Sequence, residues 1–287
     1  MLEKFKKALD IMKACWKVLM LDKELLVFPL LTMTILGLLI AGIVFPFWQI
    51  GELPDFLFAE NEYGEETFNN FVLAGLSFVS YFVTFFVMIF FNSALIACVK
   101  IRFAGGDPTV MDGLRASGKR LPQIFAWAFV ASSVGWVLSQ LKDKETGRPW
   151  NFVISLIGAG WAVAAYFVVP VMVSENVGPI DALKRSVSVI KKTWGEALVA
   201  EVGFGILYSI IGLILFLLII ATMSLFAPYP QISLSIAGIG VLILFLSSLT
   251  FITLGSILKA ALYVYAVDGK LPDAFDKDLI KGAFKDN

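Results

Sequence analysis

Between Phe68 and Val99 the chain runs for 32 residues without a charged side chain. As an α-helix, at about 1.5 Å per residue, such a run is half again as long as the roughly 30 Å hydrocarbon core of a bilayer. It must therefore tilt, or project beyond the membrane on one side. Further apolar runs occupy Leu25–Trp48, Ile124–Leu141, Trp150–Val173, Ala197–Phe226 and the stretch from about Ile232 to Val267, the last two interrupted only by Glu201 and Lys259. Inside hydrocarbon every backbone N–H and C=O has to be satisfied by protein, which restricts a spanning segment to a helix or a closed barrel. Continuous apolar runs of this length favour helices. The expected fold is all-α, a polytopic membrane bundle of six transmembrane helices. Composition agrees: 59% of residues are hydrophobic and 16% charged, against about 45–50% and about 25% in soluble domains.

Basic amphipathic segments precede spans 1, 3 and 5. Pro179 opens the best defined of them, at a helix position where its missing N–H costs nothing. Ile180, Leu183, Val187, Ile190 and Trp194 follow at helical spacing, flanked by Lys184, Arg185, Lys191 and Lys192. Leu2, Phe5, Leu9, Met12, Trp16 and Leu19 repeat the spacing near the N-terminus, beside Lys4, Lys6, Lys7, Lys13 and Lys17. No short apolar core or small-residue cleavage site marks a secretory signal there. Both segments read as interfacial helices on an anionic surface. Lys6, Lys7, Trp16, Lys184, Arg185, Lys191, Lys192 and Trp194 are thus the expected lipid-contact residues. Their apolar side chains should face lipid or the bundle, and their lysines water. A looser copy, VMDGLRASGKRLPQIFAWAF, spans 110–129. The chain then reads as a single membrane domain, 1–287, with repeats at 1–99, 108–173 and 179–267. Any two Lys-rich amphipathic helices align, so the repeat competes with coincidence.

Six spans put both termini on one side. With that side cytoplasmic, the inner segments hold 19 Lys and Arg and the outer loops three. The excess of positive charge inside selects this orientation in the cytoplasmic membrane. The outer loop 49–67 is acidic and carries no base; it either gathers cations or a partner, or is simply solvated.

Chemistry-bearing residues are scarce. Histidine is absent, which removes the commonest metal ligand and acid–base group. Cys15 and Cys98 have no metal-binding or disulfide spacing. GFG, GIG and GAG lie inside apolar runs, where small residues serve helix packing. No catalytic, cofactor-binding or metal-binding residue is therefore named, and no cofactor is expected. The three most plainly intramembrane polar residues are Asn92, Glu201 and Lys259. Asn92 fits an interhelical hydrogen bond. Glu201 and Lys259 fall at similar depth on consecutive antiparallel spans, either as a latch or as a site for a charged headgroup, unless Lys259 snorkels to the interface. Glu175 either caps the helix at Pro179 or pairs with Lys184 or Arg185. Asp112 stands at capping-box distance from Thr109.

The segments DKELLVFPLL (22–31), FFNSALIACV (90–99), GGDPTVMDGLRAS (105–117) and FVVPVMVSENVGPIDALKRSVSVIKKTWGEA (167–197) resemble an uncharacterised prokaryotic family of six-helix integral membrane proteins. The resemblance covers nearly the whole chain. More distantly, the pattern Pro170, Glu175, Ala182, Ser186, Trp194 is similar to membrane domains attached to some glycerophosphodiester phosphodiesterases. No phosphodiesterase barrel stands in this sequence, so the resemblance implies no hydrolysis. The expected function is non-enzymatic: organising lipid or partner proteins at the cytoplasmic membrane. The alternative is a transporter or pore, better suited to a lipidic substrate than to an ion. Membrane lipids and an unidentified protein are the expected partners. Zero net charge, with basic residues dispersed among the spans, gives nucleic-acid binding no support. Oligomeric state is open.

Overall fold

The computed structural model describes residues 2–50, 57–60, 66–142, 148–226 and 228–269. The elements are α1 (Leu2–Leu21), α2 (Val27–Ile50), β1 (Phe58–Glu60), β2 (Glu66–Phe68), α3 (Asn70–Phe103), α4 (Val110–Gly118), α5 (Leu121–Lys142), α6 (Arg148–Ala165), α7 (Val168–Glu175), α8 (Pro179–Leu225) and α9 (Pro230–Asp268). Six stretches are long and apolar enough to cross a membrane: Lys23–Gly42, Asn70–Phe103, Leu121–Lys142, Trp150–Glu175, Gly205–Leu225 and Gln231–Asp268. The all-helical architecture and the six spans agree with the sequence reading. One departure is a small hairpin in the acidic loop, where β1 and β2 pair antiparallel with Phe58 opposite Phe68 and Glu60 opposite Glu66. Asn69 then caps α3, its Oδ1 accepting from the N–H groups of Phe71 at 3.2 Å and Val72 at 3.3 Å. The charged tail beyond Gly269 lies outside the described residues.

Packing divides the chain into two units, one comprising Met1–Pro29, Leu95–Gly113 and Ser188–Asn287, the other Leu30–Ala94 and Leu114–Val187. In the first unit α1 lies against α9. Ile11, Ala14, Cys15, Val18 and Leu19 recur at helical spacing and are buried, as are Leu254, Ile257, Leu258 and Ala261 of α9. Leu25 and Phe28, around the 3-10 turn Lys23–Leu26, are also buried. Further along α9 the chain pairs with α8. Tyr208 and Ser248 hydroxyls meet at 2.9 Å, the Tyr208 and Phe251 ring centroids are 4.8 Å apart, and Gly240 approaches Ile219 so closely that a Cβ would fall 2.5 Å from Cγ1.

The second unit is held by aromatic rings. Phe82 of α3 meets Phe125 of α5 edge-on at 5.0 Å, Phe78 meets Phe129 at 5.9 Å and Trp136 at 5.8 Å, and Phe86 meets Phe125 at 6.1 Å. Trp136 Nε1 donates to Ser77 Oγ at 2.8 Å, and Trp127 stacks on Trp161 of α6. Lipid tails are as apolar as the side chains, so helix association rests on close packing and on contacts of this kind. Each aromatic pair adds about 0.5–1.5 kcal/mol beyond area burial.

Helix α3 ends on a defined stop. Gly105 is left-handed at φ 83°, its N–H donates to Arg102 O at 3.0 Å, and the Gly106 N–H donates to Ile101 O at 3.0 Å. These are the paired bonds of a Schellman motif. Replacing Gly105 by alanine puts a Cβ into this left-handed conformation, at a cost of roughly 1 kcal/mol. Gly105→Ala should therefore lower the unfolding midpoint of the detergent-solubilised protein, and Gly105→Asn should lower it less. Equal midpoints for all three proteins would contradict this account.

Candidate functional site

The most elaborate polar arrangement forms where the fourth span breaks. Pro170 carries no N–H, and its ring displaces the carbonyl four residues back, on Tyr166. The helix accordingly stops at Ala165 and restarts at Val168. The break removes helical partners from backbone groups in an apolar setting, and Ser186 of α8 replaces them. The Phe167 N–H donates to Ser186 Oγ at 3.0 Å, and that hydroxyl donates to Ala164 O at 2.6 Å. Ser186 and Ala182, one turn earlier, are fully buried. At the far end of α7, Asn176 takes the left-handed conformation at φ 51°. Arg185 Nε donates to Glu175 Oε1 at 2.8 Å across that corner. Arg120 donates from Nε to Met172 O at 3.1 Å and from Nη1 to Ala116 O at 3.3 Å, satisfying carbonyls in the last turns of α7 and α4. Pro170, Glu175, Ala182 and Ser186, four positions of the resemblance noted above, thus belong to one corner of the second unit.

The first unit contains its own ionic cluster. Arg102 holds the buried Asp22 through two nitrogens and reaches Asp107 at 2.5 Å. A two-pronged guanidinium–carboxylate contact offsets the desolvation of a buried acid. Beside it the expected capping box is present: the Thr109 N–H donates to Asp112 Oδ2 at 3.0 Å, and the Asp112 N–H donates to Thr109 Oγ1 at 3.2 Å. Cys98 is buried, its sulfur 3.4 Å from Thr109 O. Burial pushes the Cys15 thiol far above its ordinary range, so it is unreactive as a nucleophile.

The residues expected from sequence are distributed as follows. Glu175 pairs with Arg185 and not with Lys184, which lies 3.7 Å from the exposed Asp181. Arg185 is therefore turned toward the protein, while Lys184 and Lys191 are exposed. The buried face of α8 near its start is Ala182, Ser186, Val189 and Ile190, whereas Ile180 is exposed. That is about a quarter turn from the apolar stripe read in the sequence. Helix α1 shows a similar offset: Trp16, expected on the apolar stripe, is exposed. Basic and spanning segments also connect in two ways. A 3-10 turn separates α1 from α2, and residues 119–120 separate α4 from α5, but α8 runs unbroken for 47 residues through Trp194 into span 5.

Asn92 and Lys259 are half-buried on α3 and α9. The side chains of Lys6, Lys7, Lys192, Trp194 and Glu201 lie outside the described ones. Along α8 a shallow open groove is lined by Gly205, Ile206, Ser209, Ile210 and Leu213. Among the described residues no group of three or more His, Cys, Asp or Glu side chains is placed to hold a metal ion.

Sequence reasoning passed over Arg102 and Asp22, and it named Ser186 only as a position of a resemblance, without a role. The first two are ordinary charges at span ends, and their pairing joins residues 80 apart. Ser186 had a usable signal in Pro170, which announces a backbone break that some hydroxyl must fill.

Six helices long and apolar enough to cross a membrane define a multi-pass helical membrane protein. More particularly, the chain belongs to the family of unknown function DUF6159, whose model matches residues 71–272. No curated protein and no solved structure matches the chain.

Two outcomes test these sites. Ser186→Ala leaves the buried Phe167 N–H and Ala164 carbonyl without that hydroxyl, and should destabilise the protein by about 1–3 kcal/mol. The same substitution should cost much less in a Pro170→Ala background, where the helix can close its own bonds; an equal cost in both would refute the stapling role. For the pairing expected from the sequence, Glu201→Gln and Lys259→Met should each lower stability in detergent, and the double variant should lose less than their sum. Strict additivity would mean that the two do not interact.

Proposed function

We propose that this protein organises lipid or partner proteins at the cytoplasmic membrane without catalysing a reaction. The carrying observation is the start of α8. Ser186 and Arg185 fix it to the α6–α7 corner, while Lys184 and Lys191 remain exposed on its outer side. A cationic strip held by a buried hydroxyl and a half-buried ion pair suits a lasting contact with anionic headgroups better than a transient one. In this reading both termini and the segments around Arg115 and Lys191 are cytoplasmic, and the acidic loop 49–67 faces outside. The proposal includes the finer kinship: prokaryotic relatives, and distant likeness to the membrane domains of glycerophosphodiester phosphodiesterases. It also keeps the three basic-helix repeats.

A second reading, movement of a lipidic substrate, draws on the groove along Gly205, Ser209 and Leu213. Its apolar lining with a single hydroxyl suits an acyl chain rather than a hydrated ion.

Each lysine near an anionic surface contributes about 1 kcal/mol, or roughly a fivefold change in lipid retention. Lys184→Gln and Lys191→Gln together should therefore reduce co-purifying phosphatidylglycerol by about thirtyfold relative to phosphatidylethanolamine, measured by mass spectrometry of the detergent complex. Unchanged lipid ratios would sink the lipid-organising reading. Labelling of Glu62→Cys from the cytoplasmic side alone would reverse the orientation.

A further inference from the structure

We infer that the outward face of α1 is a binding surface for anionic phospholipid headgroups, seated at the boundary between headgroups and acyl chains. The inference rests on the lipid-organising reading but on a different helix, which precedes the segment matched by the family model.

Helix α1 has two opposed faces. One is committed to the protein: Cys15 and Val18 are wholly inaccessible, Leu19 nearly so, and the helix lies against α9. That docking fixes its roll, so the other face is defined and not averaged. Lys13, Trp16, Lys17, Met20 and Leu21 follow at steps of three, four, seven and eight, one side of a helix. Trp16 and Met20 are each 47% exposed and Leu21 65%.

No single solvent accounts for this combination. A face intended for water has no reason to present tryptophan, methionine and leucine together. One intended for acyl chains would not carry Lys13 and Lys17. Tryptophan with lysine at one level is the composition of the membrane–water interface. The charges and the apolar groups share the C-terminal half of the helix, with Lys13 and Lys17 flanking Trp16 and with Met20 and Leu21 in the last turn. The sequence of α1 as a whole carries five lysines against Glu3 and Asp10, so its field attracts anions. Lys13 is 3.3 Å from Asp10 on its own helix, which tempers its charge and leaves Lys17 as the stronger cation. Complementary charge names the occupant, the phosphodiester headgroup of an anionic lipid such as phosphatidylglycerol. Dispersion from Trp16, Met20 and Leu21 supplies contact with its glycerol and upper acyl carbons.

The test uses the full-length protein with a nitroxide on Met20→Cys. Cys15 and Cys98 are buried, so the introduced thiol takes the label, and labelled wild-type protein serves as the blank. Reconstitution is into vesicles of phosphatidylcholine alone, or with one third phosphatidylglycerol. Spin relaxation by oxygen reports lipid contact, and relaxation by a water-soluble nickel chelate reports exposure to solvent. In the mixed vesicles the label should be open to oxygen and shielded from nickel, and shallower in phosphatidylcholine alone. Lys13→Gln with Lys17→Gln should return the mixed-vesicle value to that of phosphatidylcholine, while Cys15 stays unreactive as a sign of intact docking. Equal depth in both vesicles would overturn the inference, as would free access by nickel. Protection from both reagents would overturn it too, by placing a protein or a second copy on this face. If this test fails while Lys184→Gln with Lys191→Gln still loses anionic lipid, only the α1 surface falls. If both fail, the lipid-organising reading falls with it.

Discussion

Backbone hydrogen bonding governs this structure more than side-chain hydrophobicity does. A chain in lipid gains little by burying one apolar side chain against another, but each orphaned N–H or C=O costs several kcal/mol. Helices meet the requirement along their length and fail it at ends and breaks. The polar side chains of this protein gather at such places. Asn69 closes the start of α3, the Gly105–Gly106 pair closes its end, and Arg120 takes carbonyls from the last turns of two helices. Ser186 fills the break imposed by Pro170. Ionic contacts follow the same geography, with Asp22–Arg102 and Glu175–Arg185 both at helix ends.

Much of the fold was legible in the sequence because span length and absence of charge are properties of composition. The run from Phe68 to Val99 needs no neighbour to declare itself a helix. The helix start at Pro179 and the Thr109–Asp112 box were legible for a similar reason, since both are settled within one turn. The break in span 4 was visible as Pro170, although the chain parts at Tyr166–Phe167, where the displaced carbonyl lies.

Helix faces were not legible in the same way. A stripe of large apolar residues marks the buried side of a helix in a soluble protein. Here Ile180 and Trp16 point outward, while the enclosed faces combine the small Ala182, Ser186, Ala14 and Cys15 with Ile11, Val18, Leu19, Val189 and Ile190. Small side chains let helices approach, and large ones suit a surface that meets lipid. The sequence cannot separate these roles, because an isoleucine is equally apolar in both. Pairings between distant residues were closed to sequence reasoning for another reason. Asp22 and Arg102 become partners only once α1, α3 and their connecting turns are folded together.

The Ser186 staple also sets an order of events during synthesis. Phe167 and Ala164 leave the ribosome 19 and 22 residues ahead of Ser186, an interval of about 1–4 s at ordinary translation speeds of roughly 5–20 residues per second. Through that interval span 4 has its break but not the hydroxyl that fills it. A half-made chain ending before residue 186 therefore carries a span with a polar gap, one suited to waiting in the watery insertion channel and not in lipid. The insertion machinery, rather than the finished bundle, is what must tolerate Pro170.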